Sequence, residues 1–315
     1  MSTQRTVYFN GEFVAESDAR VSIFDSALMF GDMIFETTRT FNGQPFRLRD
    51  HIDRLYVGLR TLEIDCGLTA DEMEAATLQT IERNRPCFPD GLDFQIVHNV
   101  SRGPLGLYHL VFPQGLQATI VINCWPLTWH LAAMADDYGN GVHAVIPAQR
   151  SVPSRLIDPK VKNRSRIYYQ SANLQAQKVD PNAWALLIDE DGFLTEGTGS
   201  NFFLVKDEQL LTPEPRNILR GVTRQATLEL ANRLDLPCRE CNLEPYDVMT
   251  ADEAFFTSTP FSIMPATRFN GHAIGAGRPG PVTQRLMDAW NQMVEVDMVA
   301  QAQAYAAMVR NGNVH

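Results

Sequence analysis

The sequence predicts a mixed α/β (α+β) protein of two domains, a smaller N-terminal one and a larger C-terminal one, and three observations carry that expectation. At 315 residues with 44% hydrophobic side chains, the chain lies where a single core begins to give way to two. Its first third alternates hairpin signals with amphipathic helical spacing, the pattern of a sheet covered by helices. The remainder switches between short apolar runs and helical segments separated by Gly and Pro turns. The formal net charge of −10 repels nucleic acid and anionic membrane surfaces and favours small-molecule work. No window reaches the roughly 18 apolar residues of a membrane span, and no basic segment followed by an apolar one opens the chain, so a cytoplasmic protein is expected. Five scattered cysteines suit a reducing compartment rather than a disulfide framework. The lone CREC at 238–241 lacks a second pair for zinc and the helix N-terminus a redox pair needs, so it reads as structural, and no metal is expected.

Element by element, VYFNGEFVA places Asn10-Gly11 between two extended runs, the signature of a tight hairpin, and Asn42-Gly43 repeats it inside IFETTRTFNGQPFRL. Ile52, Leu55, Leu59 and Leu62 fall at helical spacing, a second helix is predicted over ADEMEAATLQTIERN, and strands are predicted at DFQIVHNVSRG and LQATIVINCW. Around Pro126–Asn140 neither a strand alternation nor a capped helix is visible. The predicted organisation is therefore a smaller α/β domain over 1–125, an interdomain loop over 126–140, a larger domain over 141–290 and a helical tail with a frayed end over 291–315. Within the larger domain the order is a strand at VHAVIPA, a helix at RIYYQSANLQAQK, a strand at AWALLID, the turn EDGF and a strand at NFFLVKD. A Gly-led helix at GVTRQATLELANRL follows, then strands near 238–244 and 253–258 and a helical region from about Val282.

The stretch DPKVKNRSR sets Lys160 and Lys162 one residue apart. The default for a lysine is a solvated surface, where an amine with pKa near 10.4 is neutral in only about one molecule in 2,500 at pH 7. Lys160 follows Pro159 in a turn, whereas Lys162 ends a strand-like run before a helix and is the better candidate for chemistry. In TEGTGSNFFLV, Glu196 supplies a carboxylate at a strand start, where an ionised acid would face a positively charged ring nitrogen. Gly221 leads a helix whose residues Val222 and Thr223 offer backbone N–H groups to a phosphate. Thr257, Ser258 and Thr259 form a second hydroxyl cluster for the same anion, and Arg54 is the candidate cation, with Asp50 and Asp53 expected to orient or compete with it. Lysine, carboxylate and phosphate cradle together point to pyridoxal 5′-phosphate.

The chain resembles the class IV (fold type IV) pyridoxal-phosphate aminotransferases. The likeness runs through YFNGEFV, FGDMIFETTR, PFRLRDHIDRL, VKN, DGFLTEGTGSNFFLV, LTPEPRNILRGVTR, ADEAFFTSTPFSIMP and GRPGPVT. It implies two α/β domains with a barrel-like sheet in the larger one, a homodimer, and an active site at the domain boundary. It gives Lys162 the Schiff base and the proton shuttle, Glu196 the pyridine nitrogen, and Arg54, Val222, Thr223 and Thr259, with Ser258 of the hydroxyl cluster, the phosphate. Phe30 and Phe35 are placed on the substrate side, with His109 and Tyr168 beside them. Branched-chain members usually carry a tyrosine five residues after the lysine. Here that position is Ile167, with Tyr168 and Tyr169 adjacent, and Leu107 stands where D-amino-acid enzymes carry a carboxylate-binding arginine. Arg102, Arg155, Arg164 and Arg166 are the remaining candidates for a carboxylate anchor. The expected reaction exchanges an amino group between a small-molecule amino donor and a 2-oxo acid acceptor, of branched-chain, D-amino-acid or (R)-amine type. A lyase of the aminodeoxychorismate branch and a silent cofactor-binding protein are the alternatives.

Overall fold

The computed structural model describes residues 4–89 and 91–312. Two compact units form among the described residues: unit 1 takes 4–129 together with Val161–Ser165, and unit 2 takes His130–Lys160 and 166–312. The five residues around Lys162 thus belong to unit 1 although they lie far along the sequence, a return that no single cut in the chain would reveal.

Unit 1 is an antiparallel sheet of β1 (Thr6–Phe9), β2 (Glu12–Ala15), β3 (Met33–Phe41), β4 (Gln44–Pro45), β5 (Phe94–Ser101) and β6 (Thr119–Pro126), in the order β2-β1-β6-β5-β3-β4. Both predicted Asn-Gly hairpins are present, with Asn10 and Gly11 at φ 50° and 96° and Asn42 and Gly43 at 51° and 73°. Positive φ at both central residues matches the twist of the flanking strands. Before β3 lies the one-turn helix α1 (Ser26–Phe30), and on the sheet pack α2 (Leu48–Thr61) and α3 (Ala70–Asn84). Ile52, Leu55 and Leu59 of α2 are buried, as their spacing predicts, whereas Leu62 caps the helix end half-buried; Leu48 of α2 and Met73 and Ile81 of α3 are buried as well. Each such side chain contributes roughly 1.5–3 kcal/mol. Thr69 and Glu72 close a capping box on α3.

Two short helices, α4 (Thr128–Leu131) and α5 (Asp137–Asn140), occupy the stretch read as a loop, where four-residue helices are too short to leave a periodic signal. In unit 2, β7 (Val142–Val145), α6 (Ile167–Gln177), β8 (Trp184–Ile188), β9 (Leu194–Gly197), β10 (Asn201–Lys206) and β11 (Gln209–Pro213) come first. They are followed by α7 (Val222–Arg233), β12 (Cys238–Cys241), α8 (Pro245–Met249), β13 (Glu253–Ser258), β14 (Ser262–Phe269), β15 (His272–Ala273), α9 (Pro281–Val294) and α10 (Met298–Arg310). The nine strands make one mixed sheet, β12-β11-β10-β13-β14-β7-β8-β9 with β15 on β14. Its centre is aromatic: Phe202 and Phe203 pair in register with Phe256 and Phe255, and all four are fully buried. Helix α6 packs its small residues Ala172 and Ala176 into a cluster with Val145, Ala185 and Leu187.

The sequence reading misses β9, β11, β14 and β15: β9 and most of β14 are buried on both faces and so do not alternate, and β15 is only two exposed residues. The expected break at 290/291 falls inside α9, whose buried Leu286, Trp290 and Val294 continue across it, while α10 forms the body of the expected tail. The last three residues of that tail lie outside the described ones. CREC is a strand of free cysteines.

One buried carboxylate ties the start of unit 1 together. Asp25, fully buried, caps α1 by accepting from Ala27 N–H at 2.8 Å, and also accepts from the Ser101 and Thr119 hydroxyls at 2.7 and 2.6 Å. Asp25→Ala leaves three donors to find new partners and is expected to cost about 3 kcal/mol, read as a lowered urea midpoint.

Candidate active site

Lys162 is held by backbone pairing with β3. Phe35 N–H donates to the Lys162 carbonyl at 3.0 Å, Arg164 N–H donates to the Met33 carbonyl at 3.0 Å, and Ile34 and Asn163 form a β-bridge. The expected strand-like run before Lys162 is instead turn and bend up to this bridge. The Lys162 ammonium position lies 4.9 Å from the centre of the Phe35 ring, and the side chain is half-buried. Lys160 has the fate of a surface lysine, ion-paired to Asp158 at 2.8 Å and donating to the Arg216 carbonyl at 3.0 Å. The short α1 ends beside this segment at Gly31, which adopts φ 67°. A Cβ there would lie 2.6 Å from the Ser165 hydroxyl, the group that donates to the carbonyls of Phe30 and Gly31.

Arg54 has a different partner from those the sequence suggests. Asp50 pairs with Arg47 and Asp53 with Arg49, both on the surface. Arg54 instead donates from Nε to Glu36 Oε1 at 2.7 Å and from Nη2 to Oε2 at 2.8 Å, while His51 Nδ1 lies 2.8 Å from Oε2. Strand alternation explains it: Ile34 and Glu36 share the face of β3 that α2 covers, and His51 and Arg54 are one helical turn apart on α2. Burial alone would raise the Glu36 carboxyl, but the Arg54 guanidinium and the hydrogen bonds of His51 and Arg54 outweigh it and hold the acid well below the usual carboxylate range. An ionised carboxylate only accepts, so His51 carries its proton on Nδ1. Burial also lowers the His51 pKa, against the opposing pull of Glu36. Asp50 and Asp53 therefore neither orient Arg54 nor compete for it in the way expected, and a forked bond to a buried acid fixes the guanidinium as an exposed pair does not.

In unit 2, Glu196 lies within β9 rather than at its start and is buried. Its Oε1 accepts from the Tyr169 hydroxyl at 2.7 Å, and its Oε2 accepts from Leu219 N–H at 2.9 Å and from Asn201 Nδ2 at 3.2 Å. Ile167, at the position where a tyrosine was sought, is exposed, and Tyr168 is half-buried against the α6 cluster. Tyr169 is therefore the tyrosine that reaches the acid. Burial, and then the Glu196 charge, push its hydroxyl well above the ordinary tyrosine value, so it stays a donor. The helical register of α6 carries the signal that would have found it: Tyr169, Ala172 and Ala176 share the buried face.

The N-terminus of α7 has no side-chain cap, and Val222 and Thr223 in its first turn are buried. Gly221 precedes them because a Cβ there would meet Asn201 Oδ1 at 2.2 Å, the same amide that bonds Glu196. Of the hydroxyl cluster, Ser258 donates to the Gly199 carbonyl at 2.8 Å and Thr257 Oγ1 is buried with no hydrogen-bond partner in the protein, while Thr259 is half-buried just past β13. Phe35 is buried, whereas Phe30 and His109 are exposed, His109 bonding the Gly106 carbonyl at 3.1 Å. Of the arginines considered for a carboxylate, Arg102 is bonded to Asp32 and to the carbonyls of Leu62 and Glu63, and Arg155 to Glu190. Arg166 lies over the Tyr169 ring and Arg164 over that of Phe35. Among the described residues no helix is long and apolar enough to cross a membrane, and no cluster of metal ligands occurs.

Because the folded Glu36 carboxyl titrates below its unfolded value near 4.3, its contribution to stability is complete above that pH and is lost as pH falls through and below it. Glu36→Gln strands a charged partner and is expected to cost about 3 kcal/mol or more at pH 7. The gap between variant and parent urea midpoints should shrink between pH 5 and 3.

The chain matches the family described as amino-transferase class IV over residues 33–269. A Methanocaldococcus jannaschii protein assigned as a branched-chain-amino-acid aminotransferase is 34% identical, over 91% of this chain and 96% of its own. The D-alanine aminotransferase of Bacillus licheniformis is 29% identical over 90% and 95%. In three dimensions, the branched-chain amino acid aminotransferase of Escherichia coli superposes with a TM-score of 0.81 at 27% identity, covering 92% of this chain and 95% of that one. A lysine paired onto β3, an acid buried under three donors and an uncapped helix beside it lie within a match of this extent, and the chain belongs to the class IV aminotransferases, enzymes of fold type IV that use pyridoxal 5′-phosphate.

Proposed function

We propose that this aminotransferase moves the amino group of a branched-chain-type aliphatic amino acid to a 2-oxo acid, with Lys162 as the residue that carries both the cofactor and the proton. The observation that carries the reading is the placement of the Lys162 amine over the Phe35 ring, while Lys160 is committed to Asp158. Substrate class is supported by the names of relatives such as the branched-chain-amino-acid aminotransferases of Salmonella typhimurium and Escherichia coli.

The chain's own groups suit the cofactor. Bound pyridoxal 5′-phosphate supplies an electron-withdrawing ring that stabilises negative charge on the donor's α-carbon. Glu196, ionised and fed by three donors, is the group proposed to hold the ring nitrogen protonated. At about 4 Å and an effective dielectric near 20, such a pair attracts by roughly 4 kcal/mol. Val222 and Thr223 at the open end of α7, with Ser258, Thr259 and Arg54, are proposed for the phosphate. Thr257 Oγ1, unsatisfied inside the protein, is the kind of orphan donor that a bound polar group would use. Lys162 Nζ, once displaced by the donor's amine and free as a neutral amine, would take the α-proton, and the same atom would return a proton when the acceptor runs the sequence backwards. Phe30, Phe35, His109 and Tyr168 are proposed to wall the substrate.

A homodimer is part of the proposal. Exposed Leu28, Met29 and Phe30 on α1 and Leu107, Leu110 and Val111 beyond β5 form the kind of apolar surface that a partner covers. Free cysteines suit a cytoplasmic setting.

Purified holoenzyme is expected to lose its cofactor absorbance with L-leucine or L-valine faster than with D-alanine or (R)-1-phenylethylamine, and the reverse order would reassign the substrate. Lys162→Ala should remove the label fixed by hydride reduction and peptide mapping, whereas Lys160→Ala should retain it. Glu196→Gln is expected to keep cofactor but slow the half-reaction by about tenfold or more. A rate equal to the parent's would remove Glu196 from its role.

A further inference from the structure

We infer that Arg164 grips the substrate's carboxylate and so makes this a site for amino and 2-oxo acids rather than for simple amines. The inference rests on the reading of Lys162 given above. Lys162 and Arg164 flank Asn163, the residue bridged to Ile34, in a segment paired to β3 on both sides of that bridge. Asn163 between them takes the bridge, while Lys162 on one side accepts from Phe35 N–H and Arg164 on the other donates to the Met33 carbonyl. Both charged ends meet the same ring, Lys162 Nζ at 4.9 Å and Arg164 Cζ at 3.7 Å from the centre of Phe35.

The guanidinium is held in place by a built support. Asn99 lies directly opposite Phe35 in the β3–β5 register, so amide and ring share one face of the sheet. Asn99 Oδ1 accepts from Arg164 Nη2 at 2.9 Å and from Nε at 3.3 Å. That amide orients the fork through two hydrogen bonds. Arg164 is exposed, within reach of an arriving ligand. An α-amino acid carries its carboxylate on the carbon that bears the amine, so a cation that shares a ring with the reacting lysine is placed for that carboxylate. A guanidinium receives a carboxylate through two parallel N–H bonds, which fixes the orientation of the α-carbon as well as adding affinity.

The test uses 4-methylvaleric acid, an unreactive carboxylate of leucine's shape, and its primary amide, titrated calorimetrically into holoenzyme. Half-reactions with L-leucine are followed in parallel, with cofactor content measured for each protein. Arg164→Gln is expected to weaken the acid tenfold or more, about 1.4 kcal/mol, while leaving the amide unchanged. It should raise the half-saturating concentration of L-leucine far more than it lowers the limiting rate. Arg164→Lys should recover part of the loss, and Asn99→Ala should reproduce a fraction of it. Equal acid affinity in parent and Arg164→Gln, or equal losses for acid and amide, would overturn the assignment while leaving the aminotransferase reading intact. A parent enzyme that is not bleached by any amino acid would instead overturn the reading of Lys162, and the inference with it.

Discussion

The two-residue repeat of one strand is the constraint on which this half of the chemistry depends. Along β3, Ile34 and Glu36 turn toward α2, and Phe35 between them turns the other way. One face therefore buries an acid that immobilises Arg54, and the other offers the ring that Lys162 and Arg164 share. A register slip of one residue would exchange these faces, placing an aromatic ring against Arg54 and a carboxylate beside the Lys162 amine. The long ladder with β5, from Met33↔Ser101 to Arg39↔Gln95, guards against that slip.

Buried carboxylates recur as organising groups, and each is supplied with donors before any ligand arrives. Asp25 gathers a helix cap and two strand hydroxyls, and Glu36 a guanidinium and an imidazole. Glu196 gathers a phenol, an amide and a backbone N–H, and Glu253 accepts from Val282 and Thr283 at the start of α9. Removing a carboxylate from water is costly unless its oxygens are satisfied, and once they are satisfied it becomes a rigid fixed charge. Rigid charge is what a site that must stabilise a short-lived ionic state requires, because no reorganisation is left to occur during the reaction.

Much of the plan was legible in the linear text. The Asn-Gly turns, the apolar spacing of α2 and the glycine before α7 are local features, and local geometry carries them into the fold. Lys160 could be read as a solvated lysine because a proline-led turn is a local feature, and its ion pair with Asp158 agrees. The partner of Arg54 was not legible, because Glu36 is eighteen residues away and its approach depends on helix α2 lying across β3. Tyr169 rather than Tyr168 faces Glu196 because the rotation of α6 against β8 selects one of two adjacent side chains, and that rotation follows from the burial of Ala172 and Ala176.

The sequence by itself determined the element types, the residue kinds available for chemistry and the family to which they belong, since turn chemistry, periodicity and motif order are properties of neighbours along the chain. Tertiary structure alone decided which acid holds which base, that residues 161–165 return to the first unit, and which arginine shares a ring with the lysine. Those choices are made by contacts between segments distant in sequence, whose closure no local preference encodes.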